Sequence, residues 1–314
     1  MAVGIGHRVA MSLRMSRYQK DGLKAISLAK AGISLAINVI GQDTATSDSL
    51  SDSWANNKEA FERIQLGDNS NEYASVSYTF SDEFNQPKIV YGSLDEESKI
   101  NINDAPAVLL TTLLTENGID ISEDLVNNIL IWRGDAPDTE KVYEKSGYAP
   151  KGADFANIEE LGLVKGMNSA GLQKISGLIT ACAGKVNINT ALAAVLRIVF
   201  RSQVIFLNDN GVPDVNSGDA ESLTQKLIAY RNGPDNLAGT GDDKVFSDVS
   251  NIGGTLELNE KERKVFDQAI QDNLVGVQSN FIRIESAGYV NNVVKIITAL
   301  YDRSSGKISS WHEN

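Results

Sequence analysis

The sequence predicts an α+β protein: a long N-terminal helix on an antiparallel sheet, with a large, mainly α-helical domain inserted into the sheet-forming part of the chain. Three observations predict this. A Pro-free stretch from Ala2 to Ile40 carries apolar residues at helical spacing, two groups of alternating strands lie about 180 residues apart, and the segment between them is internally duplicated. The implied division is 1–98 plus 276–314 for the helix-and-sheet domain and 99–275 for the insertion.

In the helix, Leu23, Ile26, Ile33, Ile37 and Ile40 recur on one side with Leu28, Leu35 and Val39 beside them, and Gly41 supplies a stop. One helix of roughly 35 to 40 residues spans more than about 50 Å. It has no uninterrupted run of about 18 apolar residues, so the sequence as it stands is not expected to cross a bilayer. Ala2–Gly6 is too short for the apolar core of a signal peptide. Residues 42–72 are rich in Ser, Asp and Asn and read as a poorly ordered loop. Tyr73–Phe80 then alternates, with Ala74, Val76, Tyr78 and Phe80 on one face, and Lys88–Leu94 reads as its hairpin partner. Asn280–Ser286, Val293–Tyr301 and Ile308–Trp311 are three further expected strands.

Within the insertion, KININDAPAVLLTTLL from Lys99 resembles KVNINTALAAVLRIVF from Lys185. Downstream, Trp132-Arg133-Gly134 answers to Tyr230-Arg231-Asn232, and ADFANIEEL around Phe155 to KVFSDVSNI around Phe246. The offsets of 86, 98 and 91 keep the same order, as a duplication with unequal loops requires. Asn103-Asp104 and Asn189-Thr190 are expected to cap the helices that follow them.

Composition narrows the function. The single cysteine, Cys182, excludes an internal disulfide and a Cys-rich zinc site, and reads as a small core residue on a helix before Gly184. His7 and His312 sit at the two ends, poorly placed for a metal site or a catalytic triad. Glu96-Glu97 and Glu159-Glu160 are adjacent pairs that do not converge on one substrate, and no phosphate loop, nucleophile elbow or dinucleotide fingerprint is present. The expectation is a protein that is not an enzyme. Net charge is −12, yet residues 1–30 carry six bases (Arg8, Arg14, Arg17, Lys20, Lys24, Lys30) against Asp21 alone. Such a basic leading segment on an acidic body suits an anionic surface or an acidic partner.

The motifs GHRVAMSLRMSRYQKDGLKAISLAKAGISLAI, DEESKININDAP, FANIEELGLVKGM, GKVNINTA and GYVNNVVKIITALYDRSSGKISSW, in this order over nearly the whole chain, resemble the type II secretion system minor pseudopilins called protein K, the general secretion pathway protein K family. The resemblance implies a pilin-like long helix on an antiparallel sheet with an inserted helix-hairpin-helix or SAM-like domain. It also implies a non-enzymatic role at the tip of a periplasmic pseudopilus, in company with the minor pseudopilins I and J and the major subunit. The compartment it implies is the periplasmic side of the inner membrane of a Gram-negative bacterium. Family members begin with a basic leader, a prepilin-peptidase site and an apolar half-helix. Here AVGIGHRV reads as starting partway through that helix, so membrane attachment is expected only through a missing N-terminal half-helix and the sequence as given is expected to be soluble. Filament subunits of this kind pack long helices side by side, and a subunit with a broad insertion is expected to accept neighbours from one end only. Leu13, Met15, Leu23 and Ile26 are the expected partner-binding residues.

Two other readings follow from the insertion. Residues 125–175 resemble a helix-hairpin-helix unit, the basis of an alternative as a DNA-binding protein. Its hairpins read Asn117-Gly118-Ile119-Asp120 and Lys165-Gly166-Met167-Asn168, lacking the second glycine that phosphate approach needs, so no nucleic acid is expected. The acid-rich turns offer oxygen ligands for a structural Ca²⁺: Asp235, Asn236, Asp242 and Asp243 in the first, and Asp209, Asn210, Asp214, Asn216 and Asp219 in the second. For the first turn, calcium is also what the resemblance implies.

Overall fold

The computed structural model describes residues 2–66, 69–81, 87–122, 124–145, 147–212 and 214–314, with the side chains of the N-terminal helix described from Ala10 onward. His7 and Arg8 therefore lie outside the described side chains. The chain divides into two compact units. One comprises Met1–Ala45, Leu50–Asp95 and Asn280–Asn314, and the other Thr46–Ser49 and Glu96–Ser279.

Helix α1 of the first unit runs unbroken from Ala2 to Gln42, 41 residues, through both Gly22 and Gly41. It lies on a six-stranded antiparallel sheet in the order Ile64–Gln65, Glu72–Val76, Phe281–Val290, Val293–Asp302, Lys307–Glu313, with Leu94–Asp95 also pairing Phe281–Val290. The two ends of the chain thus share one sheet: Gly288 pairs with both Ala74 and Lys295. The chain leaves this sheet at Asp95 and returns beside it, since Asp95 pairs with Ile282. Alternation along Phe281–Val290 buries Ile282, Ile284, Ser286, Gly288 and Val290 toward α1. A two-residue turn joins the central pair. Val290 faces Val293, and Asn291 takes the positive φ of 53° that such a turn needs.

The face of α1 that meets the sheet is built from small residues. Ala25, Ala29 and Ala36 are fully buried, with Ile33 and Ile40 beside them, and Leu23 is 69% exposed on another side. Of the sequence stripe, Ile33 is buried on this unit's core, Ile26 and Ile37 pack on it in part and Leu23 faces away, while the alanines at the contact were not part of the stripe. Backbones come together here, because a Cβ on Gly288 would lie 1.9 Å from the Ala25 carbonyl oxygen. Any side chain at position 288 would collide with the helix backbone at this separation.

The described residues of the 42–72 stretch, 42–66 and 69–72, are not a loose loop. Trp54 and Phe61 are buried in the first unit's core, the Lys58–Phe61 helix is capped by Asn57, and Trp54 Nε1 donates to Asp43. The expected Tyr73–Phe80 strand breaks at Ser77. Glu72–Val76 joins the main sheet, while Tyr78–Ser81 pairs with Pro87–Val90 in a separate ribbon.

The second unit holds a continuous apolar core and displays the duplication directly. In the first copy, Ile100–Asn101 pairs in parallel with Ile179–Thr180, and in the second Val186–Asn187 pairs in parallel with Val275–Gly276. Between its two strands, each copy has a helix (Ala107–Glu116; Ala193–Asp209), a helix ending in arginine (Leu125–Arg133; Ser217–Arg231) and then a compact helical return. The two leading helices pack on each other. Cys182 lies in a bend and not on a helix, and it is partly buried.

Candidate functional site

Two features bear on function: the exposed length of α1, and the loops and polar clamps of the duplicated unit. In α1, the row that packs on the sheet is Ala25, Ala29, Gly32 and Ala36. Continued toward the N-terminus at alternating steps of four and three, the same row reads Gly22, Tyr18, Met15 and Met11. Met11 and Met15 are each 66% exposed and Tyr18 is 64% exposed. A helix face that is buried against sheet over one stretch thus carries large, flexible apolar side chains to solvent over the next, in the spacing that packs against another helix. By length and composition, Ala10–Gln42 is also apolar enough to cross a membrane, although charged and polar residues interrupt its apolar runs. Much of that apolar length is occupied with the sheet of its own unit.

Of the residues expected to meet partners, Met15 lies on this row. Leu13 and Leu23 are exposed at other angles of the helix, and Ile26 packs partly on the first unit's core. The structure does not bring the four onto one face.

In the duplicated unit the asparagines clamp loops and do not cap helices. The following helices have Pro106 and Leu192 as N-caps, with no side-chain hydrogen bond at either. Asn103 instead donates through Nδ2 to the Phe155 carbonyl (3.0 Å) and accepts from the Phe155 amide (2.8 Å). Asn189 does the same to Phe246, at 2.9 Å in both directions. Two residues earlier, Asn101 and Asn187 accept from the Asn103 and Asn189 amides. The arginines noticed in the sequence without a role complete the pattern. Arg133 Nη1 donates to the carbonyls of Ile102 (2.6 Å) and Ala105 (3.0 Å), and Arg231 Nη1 to those of Ile188 (3.2 Å) and Ala191 (2.6 Å). A repeated Asn-x-Asn followed by a distant Arg was the available sequence signal. These polar side chains are structural, satisfying buried backbone groups that no ladder reaches.

The first acidic turn is tied to itself. Thr240 Oγ1 donates to Asp242 (2.7 Å), the Asp235 amide to Asp242 (3.2 Å), the Leu237 amide to Asp235 (2.7 Å) and the Gly239 amide to Asp243 (2.7 Å). The bonds from Thr240 and from the Asp235 amide hold the Asp242 carboxyl below its ordinary range. Burial pushes Asp243 up, against the bonds from Gly239 and Thr240. Asn236 takes a left-handed conformation at the turn, φ 58°. The donor types, hard carboxylate and amide oxygens, suit Ca²⁺. Among the described residues, though, the carboxylates of Asp235, Asp242 and Asp243 do not gather within 4.8 Å of one another. In the second turn, Asp219 accepts from the Asn216 amide and Asn216 caps the Ser217–Arg231 helix, while Asp209 ends one helix and Asn210 caps its C-terminus. There the polar groups Asn210, Asn216 and Asp219 serve helix ends.

At the candidate helix-hairpin-helix, Gly118 and Gly166 adopt positive φ of 60° and 91°. The Gly171 amide, near the N-terminus of the following helix, is already taken by Asn168 at 2.8 Å. That leaves fewer free N–H groups for a phosphate.

Neither a protein-family model nor a curated protein sequence matches the chain. Its backbone is similar to a chain in the crystal structure of the GspK-GspI-GspJ complex from the enterotoxigenic Escherichia coli Type 2 Secretion System, with a TM-score of 0.66 and 16% identity. The similarity covers 96% of this chain and 99% of that chain. This chain has that fold. The long helix, the antiparallel sheet and the helical insertion between strands of that sheet agree with the architecture expected from the sequence motifs.

Proposed function

We propose that this chain is a non-enzymatic minor pseudopilin of a type II secretion system, placed at the pseudopilus tip with the minor pseudopilins I and J and with the major subunit below. The observation that carries the reading is the near-complete fold match to a component of a pseudopilin complex, insertion included. The exposed row Met11, Met15 and Tyr18 supplies a helix-packing surface of the kind filament subunits share. The insertion makes up more than half of the chain, a volume that a regularly repeating filament subunit does not carry. On this reading the protein is held at the periplasmic side of the inner membrane, with which the apolar composition of α1 is consistent. A structural Ca²⁺ held by Asp235, Asn236, Asp242 and Asp243 would have to draw these carboxylates closer together and would neutralise them.

Co-purification with pseudopilins I and J tests the reading. Met15→Asp is expected to weaken the complex by roughly 2 kcal/mol, about 30-fold, because a carboxylate would have to be desolvated against an apolar helix. Leu13→Asp, on a different side, should have a smaller effect. Failure of the unaltered chain to co-purify with I and J, or full assembly of the Met15 variant, would count against the proposal.

A further inference from the structure

The exposed part of α1 carries more than an apolar row. Arg14, Arg17 and Lys20 are exposed, and among the described residues none of them has an ion pair, whereas Lys24 is paired with Glu72 and Lys30 with Glu313 at 2.9 Å. The one acid in this stretch, Asp21, accepts a hydrogen bond from Asn291 Nδ2 at 3.1 Å. At about 100° per residue, the three free cations fall within about 120° of helix surface. The exposed apolar side chains are not confined to the opposite face. Met11, Met15 and Tyr18 lie on one side, Leu13 among the cations, and Leu23 on a third side.

We propose that this segment of α1 docks into the headgroup layer of an anionic phospholipid bilayer. A partner helix packed on the Met11, Met15 and Tyr18 row covers one stripe, roughly 100° wide, and leaves Leu13, Leu23 and the three cations on the remaining surface. A bilayer interface surrounds the helix. It accepts apolar side chains at every angle, while Arg and Lys extend to phosphates and the tyrosine hydroxyl stays hydrated. Charge complementarity selects the lipid. The chain is −12 overall, and only its leading segment is basic, so an anionic surface attracts that end and repels the rest. Docking of this kind would orient the protein on the membrane independently of any helix that crosses it. The proposal rests on α1 alone and does not require the pseudopilin reading.

The test is flotation of the full chain with vesicles of phosphatidylcholine alone and of equal parts phosphatidylcholine and phosphatidylglycerol, at low and high salt. The unaltered protein is expected on the anionic vesicles, with partitioning that falls as salt rises. The R14Q/R17Q/K20Q variant is expected to lose on the order of 100-fold in that partitioning. Its far-ultraviolet circular dichroism should be unchanged, because all three positions are exposed. Equal recovery on neutral and anionic vesicles, no recovery on anionic vesicles, or a folded triple variant that partitions like the unaltered chain would each overturn the proposal. Co-purification with I and J in the absence of lipid reports separately on the pseudopilin assignment.

Discussion

The sharpest consequence of the α1–sheet contact concerns Gly288. A Cβ there would sit 1.9 Å from the Ala25 carbonyl oxygen and 2.8 Å from the Ala29 amide nitrogen, against an ordinary separation of roughly 3.5 Å. Both opposing atoms are helix backbone, so no side chain can rotate out of the way. Gly288→Ala must push α1 off the sheet by more than about 1 Å, which weakens the contacts of Ala25, Ala29, Ile33 and Ala36 together. Overpacking that side chains can relieve costs about 1–3 kcal/mol, so this unrelieved case should cost about 3–4 kcal/mol. Urea unfolding followed by tryptophan fluorescence checks it. In a Trp132→Phe background the signal comes from Trp54 and Trp311, both in the first unit. With a denaturant slope of about 2 kcal/mol per molar, the midpoint should fall by roughly 1.5 M or more. Two further glycines serve as internal controls. Gly32→Ala would meet mainly the Ser286 hydroxyl, which has no hydrogen bond to lose and can turn away, so a loss of about 1 kcal/mol or less is expected. Gly22→Ala meets nothing within 4 Å and should stabilise the helix by about 0.5–1 kcal/mol. If the Gly288 variant unfolds at the unaltered midpoint, the close-approach account of this interface is wrong.

Other expected outcomes follow from the second unit. Asn189→Ala leaves the Phe246 amide and carbonyl unpaired in a buried site and should cost about 2–5 kcal/mol in thermal or urea unfolding. Asn103→Ala should do the same at Phe155, and the pair of results tests the structural equivalence of the copies. Burial of Glu262 acts to raise its pKa, but the bonds from Lys226, Ser222 and the Asn259 amide outweigh this and hold the carboxyl below its ordinary 4.5. The stability it contributes is therefore present above pH 4.5 and lost as pH falls through the lower folded value. A Glu262→Gln variant should be less stable at neutral pH and show a flatter acid limb in unfolding titrations. Differential scanning calorimetry in Ca²⁺ and in EDTA addresses the first acidic turn. At about 100 times the dissociation constant, bound Ca²⁺ adds about 2.7 kcal/mol, and the resulting rise of several degrees should vanish in Asp242→Asn; indifference to both reagents would remove calcium from the proposal.

The sequence by itself determined the elements whose signals are local or repeated. An unbroken apolar period without proline specified the helix that runs from Ala2 to Gln42, and alternation specified the three C-terminal strands, because side-chain direction follows backbone period. The repeated Asn-x-Asn and arginine motifs marked the duplication before either copy was seen. Which face of α1 meets the sheet was left to the tertiary structure. The apolar period drew attention to Leu23, Ile26, Ile33 and Ile37, yet the closest approach is made by Ala25 and Ala29 opposite Gly288, with Ile33 and Ile40 buried further along the same face. The asparagines, read as caps, proved to be clamps on residues more than 50 positions away, and the polar 42–72 stretch folds around Trp54 and Phe61. Such features belong to pairs of segments: how near two backbones lie, and which buried N–H or C=O lacks a neighbour, is settled only once distant parts of the chain are packed together.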